Sequence, residues 1–395
     1  MPFDTDLPLV AIPPDPVFDF TIKGLRKATF KYLLEDITGF QLGEIQPLRN
    51  TTPTLSHDTS RSVKRTMNMT LGVTAAAVFD EIKHRIRLFM VLEDGREFPL
   101  GRYMAASISR MPTTAGDLAS VALVDEMFTV AQPITASFGV ATSRIQYSND
   151  GLARGSIYLA IQRFLQRYQL FNPEVDWGPE VFGAPRDSVR FRGREINLAF
   201  TDFASAATWQ SGAAGTSVLQ DLAVAGDYFS PWMGNDGSFR MIRAFDPSVV
   251  VPMFDFDEDS SVYRDTITRT NDLLNAPNRI IVTSNSGAGD SLDAPIVGTY
   301  DVPNAAPHSI QNRGFVIADV VNLQLATRAQ ANAVARNIGV TQRIVERVEL
   351  TTPPDPRHDS FDVVRWDGAL WLEVAWSMSL VEGGGMRHTL QRIFQ

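Results

Sequence analysis

Two His-Asp dipeptides, His57-Asp58 and His358-Asp359, are the first places to look for chemistry in this 395-residue chain. An imidazole with a carboxylate behind it can activate a hydroxyl nucleophile, but in such a triad the partners meet across the fold, not as chain neighbours. Adjacency alone says nothing, so both pairs are expected in polar, solvated turns. No GxSxG elbow and no HExxH helix accompanies them. Asp255, Asp257, Glu258 and Asp259 begin like a calcium loop, yet Ser260 stands where that loop needs glycine and Thr266 where it needs an acid. A solvated acidic loop is expected there. Trp366, Trp371 and Trp376 offer flat faces for a sugar ring. The last two are five positions apart, which in a regular strand sends them to opposite faces and at least one into the core. Arg61, Lys64 and Arg65 form a dense basic cluster outside the stretch from Lys23 to Lys31. They are read as the polar face of a strand, or alternatively as a contact to an acidic neighbouring subunit. No glycine-rich phosphate loop follows a strand in the required context. No catalytic, cofactor-binding or metal-binding residue is therefore assigned, no cofactor is expected, and the chain reads as an assembly part, not an enzyme.

The bulk numbers narrow the class. The net charge is −9, with 44% hydrophobic and 21% charged residues, which describes a globular chain. There is no cysteine, so disulfides and thiolate metal sites are excluded, and five histidines leave little material for a zinc centre. An acidic balance does not suit wrapping nucleic acid, which needs clustered Lys and Arg. It does suit a channel through which DNA slides without sticking. The opening residues MPFDTDLPLVAIPPDP lack a basic start and an unbroken apolar core, so they are not read as a signal peptide. No apolar run reaches the roughly 18 residues a membrane span needs.

The elements that must position these residues fall into three regions. Residues 1–150 read as an extended, proline-rich arm and then strands. VFDFTIKG alternates, and Met67, Met69 and Leu71 alternate. IRLFMVLEDGREFPLG is a hairpin about Asp94-Gly95, and ALVDEMFTVAQPITASF adds one or two more strands. Residues 151–247 read as a small α/β module. There, Ile157, Ile161, Phe164 and Tyr168 share a helical face, Ser217 and Gln220 form a capping-box pattern, and a hairpin turns at Asp236-Gly237. Residues 248–395 return to strands, with one helix over 326–339 and a closing hairpin about Trp366-Asp367-Gly368. The tetrapeptide PPDP occurs at Pro13–Pro16 and at Pro353–Pro356, where it would pre-set φ as the chain enters a strand. The expected fold is mainly β with an α/β insertion: two antiparallel β-barrel domains flanking the smaller module.

Three stretches carry a resemblance. They are DTSRSVKRTMNMTL (Asp58–Leu71), GTSVLQDLAVAGDYFSPWMGNDGSFRMI (Gly215–Ile242) and the run from Ala326 to Phe394. In that order they resemble tail hub proteins of long-tailed bacteriophages, the Tal-like minor tail proteins found in phages of actinobacteria. The resemblance implies two tail-tube-like barrels per chain and a homotrimeric, pseudo-sixfold ring at the virion tail tip. Its implied partners are the distal tail ring, the tape measure protein and fibre or spike proteins, with DNA crossing the lumen without specific binding. The alternatives are a distal tail or side baseplate protein, a cell-wall hydrolase and a glycan-binding adhesin.

Overall fold

The structure is a computed structural model that describes residues 28–136, 138–140, 146–147, 153–154, 164–165, 188–191, 194–197, 207–225, 228–242, 247–256, 267–271, 275–284, 295–322, 328–341 and 346–394. The VFDFTIKG stretch, the first PPDP, Lys23, Ile157, Ile161, Tyr168 and the acidic positions 257–259 lie outside the described residues, as do Ser260 and Thr266.

The N-terminal region supplies seven strands of the main sheet: β1 (Ala28–Asp36), β2 (Gln41–Ile45), β3 (Thr54–Asp58), β4 (Arg65–Leu71), β5 (His84–Leu92), β6 (Glu97–Thr113) and β7 (Gly116–Asp125). A short helix, α1 (Val73–Val78), follows β4. Alternation drives these strands. Met67, Met69 and Leu71 on β4, and Ile86, Leu88 and Met90 on β5, are all buried. The β5–β6 hairpin turns at Asp94-Gly95 with Gly95 at φ +83°. Opposite Leu88 and Phe89 the register slips by one residue. Gly101 sits there at φ +118°, and a Cβ on it would lie 2.6 Å from the Tyr103 hydroxyl. The stretch expected to hold only further strands contains a helix, α2 (Met127–Ala131). The Asp125 carboxylate accepts the Met127 N–H at 3.0 Å and turns the chain out of extended geometry.

In the middle region α3 (Gly215–Ala225) starts two residues before the capping-box serine. It buries Val218, Leu219 and Leu222 against α2, Phe164, Met233 and Phe239. The hairpin β8 (Trp232–Met233) and β9 (Phe239–Arg240) turns at Asp236-Gly237 as expected. The C-terminal region contributes β10 (Phe254–Asp255), β11 (Thr268–Asn271), β12 (Arg279–Ser284), β13 (Ile296–Asp301) and α4 (Ile310–Arg313). Next come β14 (Ala318–Asn322), α5 (Arg328–Thr341), β15 (Glu346–Thr352), β16 (Val363–Trp366), β17 (Ala369–Ser379) and β18 (Met386–Arg392). Strands β12, β13 and β14 form a separate three-stranded sheet with α5 packed on one face. Gly298 permits that contact, because a Cβ there would stand 2.2 Å from the Ala331 backbone.

The fold is mainly β. Thirteen of the described strands join one sheet, whose main path runs β11-β15-β18-β17-β3-β4-β7-β6-β5-β1-β2. Strands from the two ends of the chain meet at a single antiparallel pair, β3 with β17, from Thr54↔Ser379 to Asp58↔Ala375. The main core ignores the boundary between regions: Trp376, Met378, Leu380 and Met386 pack with Met67, Leu88 and Tyr103. Among the described residues the strands do not close into barrels. Among those residues the main path is open and ends at β2 and β11, and β16 with β10 branches from it beside β17.

The tryptophans differ from the expectation of opposite faces. A bulge between Glu373 and Ala375 inserts one residue into β17. Trp371 pairs with Arg392 and Trp376 with His388, two positions of equal parity on β18, so both side chains leave the same face. Both are buried, as is Trp366. None forms an exposed stacking platform.

Candidate functional site

The β3–β17 seam brings the two His-Asp segments together, 301 residues apart in number yet adjacent in space. Neither histidine is solvated: His57 and His358 are each 2% exposed. The loop from Pro353 to Asp362, which begins with the second PPDP, is drawn down onto β3, β4 and β17. His57 Nε2 meets the Ser360 hydroxyl at 2.8 Å, and its ring stacks on Trp376 at 5.4 Å. Burial first, then the positive charges of Arg65 and Lys64, hold the His57 imidazole neutral, well below its ordinary range. This is a serine–histidine contact with no third member. His57 Nδ1 has no partner among the described residues, and Asp58 instead accepts the Ser60 N–H and pairs with Arg61. With Ser360 also buried, the pair lacks both the orienting acid and the access that acyl transfer requires.

Two of the three residues of the basic cluster point inward, not onto the polar face of a strand. Arg61 is exposed, but Lys64 and Arg65 are 1% and 0% exposed. The Lys64 ammonium donates to the Thr59 carbonyl and the Ser230 hydroxyl, each at 2.9 Å. Burial lowers it to about 7, against the pull of Asp125 and Asp58. Arg65 donates to Asp359 at 2.8 Å and to the Asn235 side chain, and lies over the Trp376 ring. Asp359 also accepts Trp232 Nε1–H at 2.8 Å and Arg240 at 3.2 Å. Asn235 returns two bonds to the Pro356 and His358 carbonyls. One carboxylate thus ties β4, the β8–β9 hairpin and the 353–362 loop, and so all three regions of the chain. Asp125 lies beside this knot. Burial raises its carboxyl to about 7, although it accepts the Arg65 and Met127 backbone N–H groups.

A second cluster lies behind the same loop. Glu373, on β17 just before the bulge, accepts His358 Nδ1–H at 2.7 Å on one oxygen and His388 Nδ1–H at 2.5 Å on the other. All three side chains are buried. His388 Nε2 contacts the Thr352 hydroxyl at 2.7 Å, and the His358 ring stacks on Phe254 at 3.8 Å. Asp362 Oδ2 lies 4.0 Å from His358 Nδ1 and accepts the Asp359 N–H at 2.7 Å. Burial works against the Glu373 carboxylate, yet the two imidazoles hold it at about 2. Burial, and then the Glu373 charge, push Asp362 well above the usual carboxylate range. His358 is raised despite burial, because Glu373 faces it; His388 is lowered because burial outweighs the same carboxylate. These ligand-type atoms lie within 4.8 Å of one another, so His358, Glu373 and His388 are the residues that could hold a metal ion. Sequence reasoning assigned none of them, and no spacing rule would have found them. The second His-Asp dipeptide was visible, but Glu373 and His388 join it only through strand pairing. Asp255, from the acidic run, forms an ordinary surface pair with Arg365 at 2.8 Å.

No protein-family model matches the chain, and no curated protein matches it in sequence. Solved structures do match. A tail protein from Neisseria meningitidis MC58 aligns with a TM-score of 0.54 at 10% identity, over 92% of this chain and 96% of that one. The 43 kDa tail protein of prophage MuSo2 from Shewanella oneidensis gives 0.53 at 10%, over 92% and 98%. Prophage tail protein gp18 from Listeria monocytogenes EGD-e gives 0.50 at 9%, over 91% and 94%. At such identities the shared property is the fold, and it extends over nearly the full length of each chain. Among the described residues no helix is long and apolar enough to cross a membrane.

Proposed function

We propose that this chain is a structural protein of a phage tail tip, a hub that assembles as a homotrimeric ring between the distal tail ring and the fibres or spike. The observation that carries this reading is the continuous sheet. Among the described residues the two β-rich ends of the chain are welded through β3 and β17 into one open sheet whose main path ends at β2 and β11. The edges of an open sheet must be covered, blunted or continued. Continuation from β11 of one copy to β2 of the next is a heterologous contact, and such contacts close into a ring when the rotation per copy permits. Two sheet halves per chain then give three copies a pseudo-sixfold lining. The tail-protein fold of the three solved structures supports the same assignment.

On this reading the mechanism is mechanical. The net charge of −9 keeps a lumen from holding DNA electrostatically, so tape measure and genome pass after host contact. The internal Arg65–Asp359 knot keeps each subunit's two halves in fixed relation while neighbours load the ring.

The test is particle mass by multi-angle light scattering, with negative-stain images of the same peak, for the chain alone and mixed with its phage's distal tail protein. A threefold ring with a central hole, alone or in the mixture, is the expected result. A sixfold ring moves the chain to the distal tail position. A monomer under both conditions overturns the hub.

A further inference from the structure

Outside the seam, the described residues offer one convergence of ligand-type side chains that the hub reading leaves without a task. His358 comes from the loop after PPDP, Glu373 from the bulged strand β17, and His388 from β18. Their ligand atoms lie within 4.8 Å of one another, and all three are buried. Asp362 Oδ2 lies 4.0 Å from His358 Nδ1 and is the next carboxylate beside the three. Each of the histidines and Asp362 is held from behind. Thr352 meets the far nitrogen of His388, Phe254 stacks on His358, and the Asp359 N–H fixes Asp362. Such outer partners are what orient metal ligands and hold imidazoles in one tautomer.

We propose that His358, Glu373, His388 and Asp362 form a structural site for a divalent transition metal of the zinc class. Two imidazole nitrogens and two carboxylates match the nitrogen and oxygen donors that such ions take, and four is the number of ligands of a closed structural site. In the hydrogen-bonded arrangement, protons occupy the gaps at 2.5 and 2.7 Å between each Nδ1 and Glu373. An ion takes the place of both protons: each imidazole then binds as the neutral tautomer protonated at Nε2, any surplus proton leaves to solvent, and the two Nδ1–Glu373 gaps open to the roughly 3.3 Å that tetrahedral zinc bonds impose. The shift is about 0.7 Å, within reach of a carboxylate and two imidazoles that each rotate about their own side-chain bonds. The site would pin the 353–362 loop to β17 and β18 beneath the seam, in a chain with no cysteine to do so by disulfide.

The experiment uses the full chain. Protein stripped with a chelator is dialysed against zinc, passed over a desalting column and measured for metal by plasma mass spectrometry, with thermal unfolding before and after. In parallel, cobalt(II) is added to the stripped wild-type chain and its visible absorption recorded. The expected results are one zinc per chain, a melting point raised by about 3 °C or more, and intense tetrahedral cobalt bands. His388→Gln and Asp362→Asn should each lower zinc occupancy at least tenfold, whereas His84→Gln, which changes a histidine at the far end of the sheet on β5, should leave it unchanged. The cobalt readout needs no variant, so misfolding of His388→Gln does not blunt the test. Less than a tenth of a zinc per chain, or a cobalt spectrum of the hydrated ion, overturns the site and leaves a proton-bridged triad. Zinc that stays in His388→Gln but leaves with His84→Gln also overturns it. Since the ring is read from particle mass, failure here leaves the hub assignment standing.

Discussion

Replacing Asp359 with asparagine should be the most destructive near-isosteric change in the molecule. The Asp359 side chain is 14% exposed, and its partner Arg65 is fully buried. One oxygen accepts from Arg65 at 2.8 Å, from Trp232 Nε1 at 2.8 Å and from the Ser360 N–H at 2.9 Å; the other accepts from Arg240 at 3.2 Å. The substituted side chain can keep its carbonyl on the first set, but its amide then points N–H groups at the Arg240 guanidinium. More important, Arg65 stays buried without a counter-ion. Breaking a buried pair from one side costs about 3–5 kcal/mol, and the retained carbonyl places this change near the lower end, about 3 kcal/mol. Arg65→Met removes the stranded charge instead. In the Arg65→Met, Asp359→Asn double variant the two losses should not add, leaving a coupling energy of about 2 kcal/mol. Urea unfolding followed by tryptophan fluorescence, on the four proteins of the cycle, measures both quantities. A loss below about 1 kcal/mol for Asp359→Asn, or strict additivity in the double variant, would refute the idea that this ion pair holds the three regions together.

Other perturbations test the remaining parts of the fold. Trp371→Ala empties a fully buried position and orphans the Trp366 carbonyl that accepts its indole N–H at 2.8 Å; a loss of about 3–5 kcal/mol is expected in the same assay. Gly298→Ala forces a methyl into the α5 backbone and should selectively loosen the β12–β14 sheet. Hydrogen exchange reads this as lost protection over residues 279–284 and 331–338, with β4–β7 unchanged. His308 is lowered to about 4 by burial and then by Arg313. Its unfolded counterpart takes up a proton near 6.5, so the native state loses stability as pH falls from about 6.5 towards 4, by at most about 3 kcal/mol. The difference between wild type and His308→Gln across that window isolates the effect; equal slopes would remove it.

Local rules made much of the fold legible. Strands β4 and β5 follow from alternation, the Asp94-Gly95 and Asp367-Gly368 turns from residues that tolerate positive φ, and α5 from its Ala- and Arg-rich run. The errors share one physical cause, the insertion or pairing of single residues at long range. The bulge at Val374 is one extra residue, yet it reverses the facing of everything after it on β17. Without it Trp376 would leave the core, while Glu373, which pairs before the bulge with Leu390, keeps the face it shares with His388. Likewise Lys64 and Arg65 read as surface charges until β3 and β17 pair and bring Asp359, Asn235 and Ser230 over them. Nothing within ten positions of either residue announces those partners.

That dependence explains why the site sits where it does. A seam between distant parts of a chain is the place where local preferences cannot specify register, because shifting β3 against β17 by two residues keeps every apolar side chain on its proper face. Polar contacts remove the degeneracy. His57 finds Ser360, and Arg65 finds Asp359, only when Asp58 lies opposite Ala375. A slip by two would strand a buried guanidinium and a buried imidazole, at a cost of several kcal/mol against a nearly neutral change in apolar burial. The buried His-Asp segments are thus better understood as register marks than as reactive groups. A protein proposed to lock neighbouring copies edge to edge has particular use for them, since any slip within the subunit would carry both ends of the main path, β2 and β11, out of line with those of its neighbours.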